Sequence, residues 1–111
     1  MSHLHLGSVA RLFRVIRRNP PTARDFESPL AKGRTPPGPE QERSYRAVST
    51  FITLELARHK AIELRLGDFV AELEVPAAVE RHPDAEGHVD LENTTPEQLL
   101  GYVVQVHRAQ G

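Results

Sequence analysis

Residues 11–21 read Arg-Leu-Phe-Arg-Val-Ile-Arg-Arg-Asn-Pro-Pro, and the fold turns on whether 12–16 is a helix or a strand. Val9, Leu12, Phe13 and Ile16 recur at helical spacing behind Ser8, a residue able to cap a helix. Against that, Leu12-Phe13-Arg14-Val15-Ile16 is short, bulky and partly β-branched, which suits a buried strand. Taken alone, the periodicity leans to helix. Read as a strand, the run puts Arg14 on the same face as Leu12 and Ile16. A guanidinium between two apolar neighbours requires an anionic partner or the mouth of a pocket. Asn19-Pro20-Pro21 ends either element.

Working outward, residues 19–39 hold six of the nine prolines and read as a punctuated connection. Thr22 is placed to cap a short helix through Asp25 and Phe26, and Pro39 to open another that runs to Arg46. Residues 47–52 alternate as a strand, with Val48, Thr50 and Ile52 on one side and Ser49 and Phe51 on the other. Thr53 caps the clearest helix, 54–65, whose Leu54, Ala57, Ala61 and Leu64 make one apolar stripe, with Gly67 just past its end. Residues 68–75 form the clearest strand: Phe69, Ala71, Leu73 and Val75 face a core, and Val70, Glu72 and Glu74 the other side. Residues 77–87 read as a polar excursion with His82 in a turn, and 88–91 as a short strand. Thr95, Pro96 and Gln98 spell a capping box with proline at the first helical position; Gly101 ends that helix and 102–107 closes the chain as a strand. The expectation is a single small α+β domain over 11–108, behind a flexible tail at 1–10. Its mixed or antiparallel sheet has about 4–5 strands, with about 3–4 short helices.

The formal net charge is −1, but the charge is unevenly distributed. Residues 1–46 hold eight Arg and one Lys against four acids, and residues 47–111 four Arg and one Lys against eleven. The first carboxylate is Asp25, so residues 1–24 carry five arginines unopposed in sequence. This asymmetry suggests a basic face able to meet phosphate or another anion. With no cysteine in the chain, disulfide frameworks, thiol nucleophiles, zinc ribbons and iron–sulfur sites are excluded. No apolar run approaches the ~18 residues of a membrane helix, and residues 1–18 lack a secretory apolar core, so a cytoplasmic chain without membrane contact is expected.

Phosphate-cradling glycine loops, H-E-x-x-H, nucleophile elbows and calcium loops are absent. The histidines fall at 3, 5, 59, 82, 88 and 107, with only His3 and His5 closely spaced, and no metal site is expected from them. His59 stands four residues from both Glu55 and Glu63 and reads as a solvated helix contact. Glu72 and Glu74, two carboxylates on one strand face, read either as an acid/base pair or as one wet face of a sheet.

Two resemblances bear on the fold and function. Leu12-Phe13-Arg14-Val15-Ile16, Asn19-Pro20-Pro21-Thr22 with Asp25-Phe26, Val48-Ser49-Thr50-Phe51, Phe69-Val70-Ala71-Glu72-Leu73, and Gly87-His88 followed by Pro96-Glu97-Gln98-Leu99-Leu100 together resemble a group of short uncharacterised bacterial proteins. That likeness spans about residues 11–106 and implies a strand at 11–16. Arg14, Ser49 and Glu72, on successive predicted strands, are also similar to the ADP-ribosyltransferase-like fold. The resemblance implies an NAD pocket in which the Arg holds phosphate or ribose, the hydroxyl fixes the nicotinamide end and the Glu stabilises the ribosyl cation, with His88 beside them.

Three functions are therefore carried forward. The first is a non-enzymatic module, without cofactor, that binds a protein partner or an anionic ligand through its basic half. The second is an NAD-consuming transferase or toxin-like enzyme with catalytic Arg14, Ser49, Glu72 and His88. The third is nucleic-acid binding through Arg11, Arg14, Arg17, Arg18 and Arg24. A pI near 6.6 and few aromatics count against that third reading.

Overall fold

In a computed structural model, which describes residues 8–110, residues 10–16 are a strand. This strand, β1 (Ala10–Ile16), is a central strand of the sheet. The others are β2 (Val48–Phe51), β3 (Phe69–Val75), β4 (Glu80–Pro83), β5 (His88–Glu92) and β6 (Val103–Arg108). They form one six-stranded sheet in the order β4-β5-β2-β1-β3-β6. Every neighbouring pair is antiparallel. The helices are α1 (Glu42–Arg46), α2 (Leu54–Glu63) and α3 (Pro96–Gly101), with 3-10 turns at Ala23–Phe26 and Pro39–Gln41. A short 12–16 run becomes a strand because it is paired on both edges: Leu12 sits opposite Leu73 in β3, and Phe13 opposite Phe51 in β2. Tertiary pairing thus overrides the helical spacing that residues 8–18 show in isolation.

The sheet has two unlike faces. The first carries Leu12, Ile16, Val48, Ala71, Leu73, Val75, Val89 and Leu91, buried beneath Phe26 of the first 3-10 turn and Leu99 of α3. The second carries Phe13, Val15, Phe51 and Val70, covered by α2 through Leu54, Leu56 and Ala57. Val70 is fully buried here, so the polar side expected for β3 is polar only at Glu72 and Glu74. Beyond α2 the second face is ionic, with Arg11, Glu72 and His107 on one flank and His82, Asp90 and Glu92 on the other.

The sheet has six strands where about 4–5 were expected. The additional one is β4: residues 80–83 lack apolar alternation, and they become a strand by pairing with β5 across a tight turn. In that turn Gly87 adopts φ +87°, and Asp84 receives the backbone N–H groups of Glu86 (2.8 Å) and His88 (3.0 Å). His82 therefore lies in a strand and not in a turn. The α2 helix stops at Glu63, because Arg65 turns left-handed at φ 52°. Leu64, assigned to the apolar stripe, is consequently exposed. Gly67 serves close packing and not capping: a Cβ there would overlap the Ile16 carbonyl oxygen. The expected tail reaches into β1, which starts at Ala10; His3 and His5 lie outside the described residues.

Candidate anion-binding site

Local sequence explains how the basic residues gather. Asp25 closes the turn after β1: its carboxylate, essentially buried, accepts from the Thr22 amide at 2.9 Å, the Arg17 amide at 3.0 Å and Arg18 Nη1 at 3.1 Å. Burial alone would raise the pKa of this carboxyl. The two amides and the Arg18 cation outweigh burial and hold it below the usual aspartate range. The turn folds the segment after Asn19 back beside β1, and the loop that follows is fastened to α1 by the Leu30 N–H to Tyr45 carbonyl bond at 2.8 Å.

Between these segments is a cleft of about 470 Å³ lined by Arg14, Arg17, Arg18, Arg24, Lys32 and Arg34, with Asp25, Glu27 and Leu66. Arg14 forms its inner wall. Its Nε donates to the Asp25 carbonyl oxygen at 2.7 Å, Nη1 to that of Ser49 at 2.8 Å and Nη2 to that of Glu27 at 3.4 Å. All three acceptors are neutral backbone groups. Burial pulls the guanidinium down to about 10, with the nearby Asp25 charge pushing the other way, so it remains cationic at neutral pH. Lys32, an exposed residue of the loop, is held below the ordinary lysine value, first by partial desolvation of its amine and then by the charges of Arg14, Arg34 and Arg17. Among the described residues, Arg14, Arg17, Arg24, Lys32 and Arg34 form no ion pair; of the cleft cations only Arg18 does, with Asp25. A second, broader hollow of about 1120 Å³ adjoins through Arg17 and Leu66. It adds Arg65, Arg108 and Asp68 to a lining that also includes Ala61, Ile62 and Phe69.

The three residues of the NAD arrangement do not converge. Arg14 points to the first face of the sheet, while Ser49 and Glu72 share the second. Arg14 touches only the main chain of Ser49. Glu72 is bound to Arg11 and, at 2.7 Å, to His107, which with Arg11 holds its carboxyl below the usual range. Arg11 is also paired with Glu74 and so is turned away from the cleft.

Ser49 and His88 do meet. The Ser49 hydroxyl is hydrogen-bonded to His88 Nε2, and the imidazole tilts against Phe51 with ring centroids 5.5 Å apart. Asp90 Oδ1 lies 3.3 Å from the same Nε2, while Asp84 Oδ2 is 3.6 Å from Nδ1. A hydrolytic relay needs the hydroxyl alone on one nitrogen and a carboxylate within hydrogen-bond distance of the other. Here the hydroxyl shares Nε2 with a carboxylate and the contact to Nδ1 is long, so this cluster fastens β2 to β5.

Glu27, Lys32, Arg34 and Leu66 are cleft residues that sequence reasoning missed. The basic bias of residues 1–46 was the one signal for Lys32 and Arg34, and Leu66 had none. Comparison with protein-family models, with curated proteins and with solved structures finds no match to this chain. Among the described residues, no helix is long and apolar enough to cross a membrane.

Proposed function

We propose that this chain is a binding module for a small oxyanion, a phosphate or phosphorylated compound, which enters the cleft between the end of β1 and residues 24–34. The observation that carries this reading is Arg14, a part-buried cation whose hydrogen bonds go to backbone carbonyls alone, at the wall of a cleft whose lining holds five further cations and two acids. One of those acids, Asp25, is already committed to the turn and to Arg18. Such a cleft carries a positive potential that an oxyanion relieves, and arginine forks suit its oxygens. About 470 Å³ falls within the range of small-ligand pockets. The adjoining hollow, lined by Ile62 and Phe69 as well as by Arg65, Asp68 and Arg108, leaves room for an organic portion of the ligand.

The test is calorimetric titration of the chain with inorganic pyrophosphate, beside a charge-reversed Lys32→Glu, Arg34→Glu variant. Both residues are exposed loop positions whose change leaves the core intact. Saturable binding that weakens with salt and disappears in the variant is expected. Absence of saturable binding to the parent chain, or equal binding to both proteins, would refute the reading.

A further inference from the structure

On the far side of the molecule in sheet order, the β4–β5 hairpin gathers a different set of groups. Glu80 and Glu92 are opposite one another across the β4–β5 pair, and His82 is opposite Asp90, so all four project to the second face. His82 Nε2 lies 2.6 Å from Glu80 Oε2 and 2.9 Å from Glu92 Oε2. One atom from each of Glu80, His82 and Glu92 falls within 4.8 Å of both others. An imidazole nitrogen carries one proton at most and so serves one of the two carboxylates well.

A second observation, independent of that spacing, is the local charge balance. The side chains of Asp90 and Glu92 are nine-tenths buried, at 9% and 10% exposure, and adjacent on one strand face. The arginine near them is Arg43, itself half exposed, at 3.6 Å from Asp90 and 3.3 Å from Glu92. Buried carboxylates are ordinarily paired or bound to a metal. With Glu80 added, three carboxylates meet one guanidinium and the imidazoles of His82 and His88, and a divalent cation held by His82 supplies further positive charge to the group.

We propose that Glu80, His82 and Glu92 form a binding site for a divalent first-row transition metal ion, with Asn93 as a positioning residue. A mixed imidazole–carboxylate set favours Zn²⁺, Mn²⁺, Fe²⁺ or Co²⁺ over Ca²⁺ and Mg²⁺, which take oxygen ligands. Donors about 2.1 Å from a metal at adjacent octahedral positions stand about 3.0 Å apart. The 2.6 and 2.9 Å separations at His82 need only a few tenths of an ångström of spreading to match that octahedral spacing, and about 0.5–0.8 Å to match the roughly 3.4 Å of a tetrahedral Zn²⁺. Two of the ligands lie on the edge strand β4, where that adjustment meets one neighbouring strand only. Asn93, in the left-handed region at φ 56°, donates its side-chain amide to Glu80 Oε1 and leaves Oε2 toward the site.

The chain with His3 and His5 both replaced by alanine, which removes competing imidazoles near the terminus, is titrated with Zn²⁺ and with Mn²⁺ by calorimetry. Amide spectra are recorded for the Mn²⁺ sample. One ion per chain is expected, with paramagnetic broadening centred on residues 80, 82 and 92. His82→Gln should weaken binding at least about tenfold, since even outer-shell changes cost that much, and a chemical-shift map checks that the hairpin is intact. Glu80→Gln, on the exposed edge, gives a second reading where His82→Gln perturbs the fold. No saturable binding up to millimolar metal, broadening elsewhere, or unchanged affinity in both variants would overturn the site.

Discussion

Arg14 meets Asp25 through the main chain and not through the carboxylate. Its Nε donates to the Asp25 carbonyl oxygen at 2.7 Å, while the carboxylate of the same residue accepts from the Arg17 and Thr22 amides and from Arg18. One residue thereby anchors the guanidinium and closes the turn, and the Arg14 charge is left without a contacting counterion. The arrangement leaves the guanidinium's formal charge available to a ligand while its N–H groups hold the strand and turn together.

Arg14 is accordingly a structural residue as well as a cleft residue. Arg14→Leu removes the donors to the Asp25 and Ser49 carbonyls, and should destabilise the chain by about 1.5–3 kcal/mol, the range for a hydrogen bond to a charged group. Arg14→Lys restores the charge but not the fork, and should recover only part of that loss. Urea unfolding of the three proteins checks this; equal midpoints for all three would contradict the assigned bonds.

Asp25 makes stability depend on pH in a stated direction. Its carboxyl is depressed in the folded chain relative to the unfolded one, so its contribution is fully present above the unfolded value, about 3.9. That contribution is lost as pH falls through the lower folded value. Asp25→Asn should therefore cost about 1–3 kcal/mol at pH 7, with the gap to the parent narrowing as the pH drops below about 4. Unfolding midpoints at pH 7 and pH 3 test it, and a gap that widens in acid would contradict the assignment.

How far the sequence foretells this arrangement differs from element to element. The alternation of Leu12, Arg14 and Ile16 placed a guanidinium on an apolar face, and the structure has it there, although its acceptors are carbonyls. Carbonyl partners leave no trace in side-chain patterns, whereas a carboxylate would have. The Thr95 and Gln98 capping box was legible because it is local: Thr95 Oγ1 accepts from the Gln98 amide at 3.1 Å and Gln98 returns the bond at 2.9 Å. β4 was not legible, since Glu80-Arg81-His82-Pro83 is a strand only through its ladder with β5. Lys32 and Arg34 reach the cleft because the loop after Pro29 is tied to Tyr45, a contact between segments with no shared pattern.

Two glycines should respond oppositely to alanine. At Gly67 the added Cβ runs into the Ile16 backbone carbonyl, which cannot rotate away, so Gly67→Ala should destabilise by about 1–3 kcal/mol. Gly101 ends α3 with open space around it and no positive φ. Gly101→Ala should be neutral or stabilising by up to about 1 kcal/mol, through helix propensity alone. Thermal melts of both variants decide; a stable Gly67→Ala would mean that β1 and the α2–β3 connection are further apart than described.

The cleft makes a prediction about protons as well as ligands. Lys32 is pushed below the ordinary lysine value by partial desolvation and by the surrounding arginines, so the folded chain releases that proton at lower pH than the unfolded chain does. An anion bound among Arg14, Arg17 and Arg34 reverses the dominant charge around Lys32 and raises its pKa. Binding in the alkaline range, where Lys32 is partly deprotonated, must then draw protons from the buffer. Pyrophosphate titrations at one alkaline pH in two buffers of different ionisation enthalpy measure that uptake, and Lys32→Ala should reduce it, the remainder coming from Arg14, which burial brings to about 10. The same uptake in both proteins would place the titrating group elsewhere and separate Lys32 from the ligand.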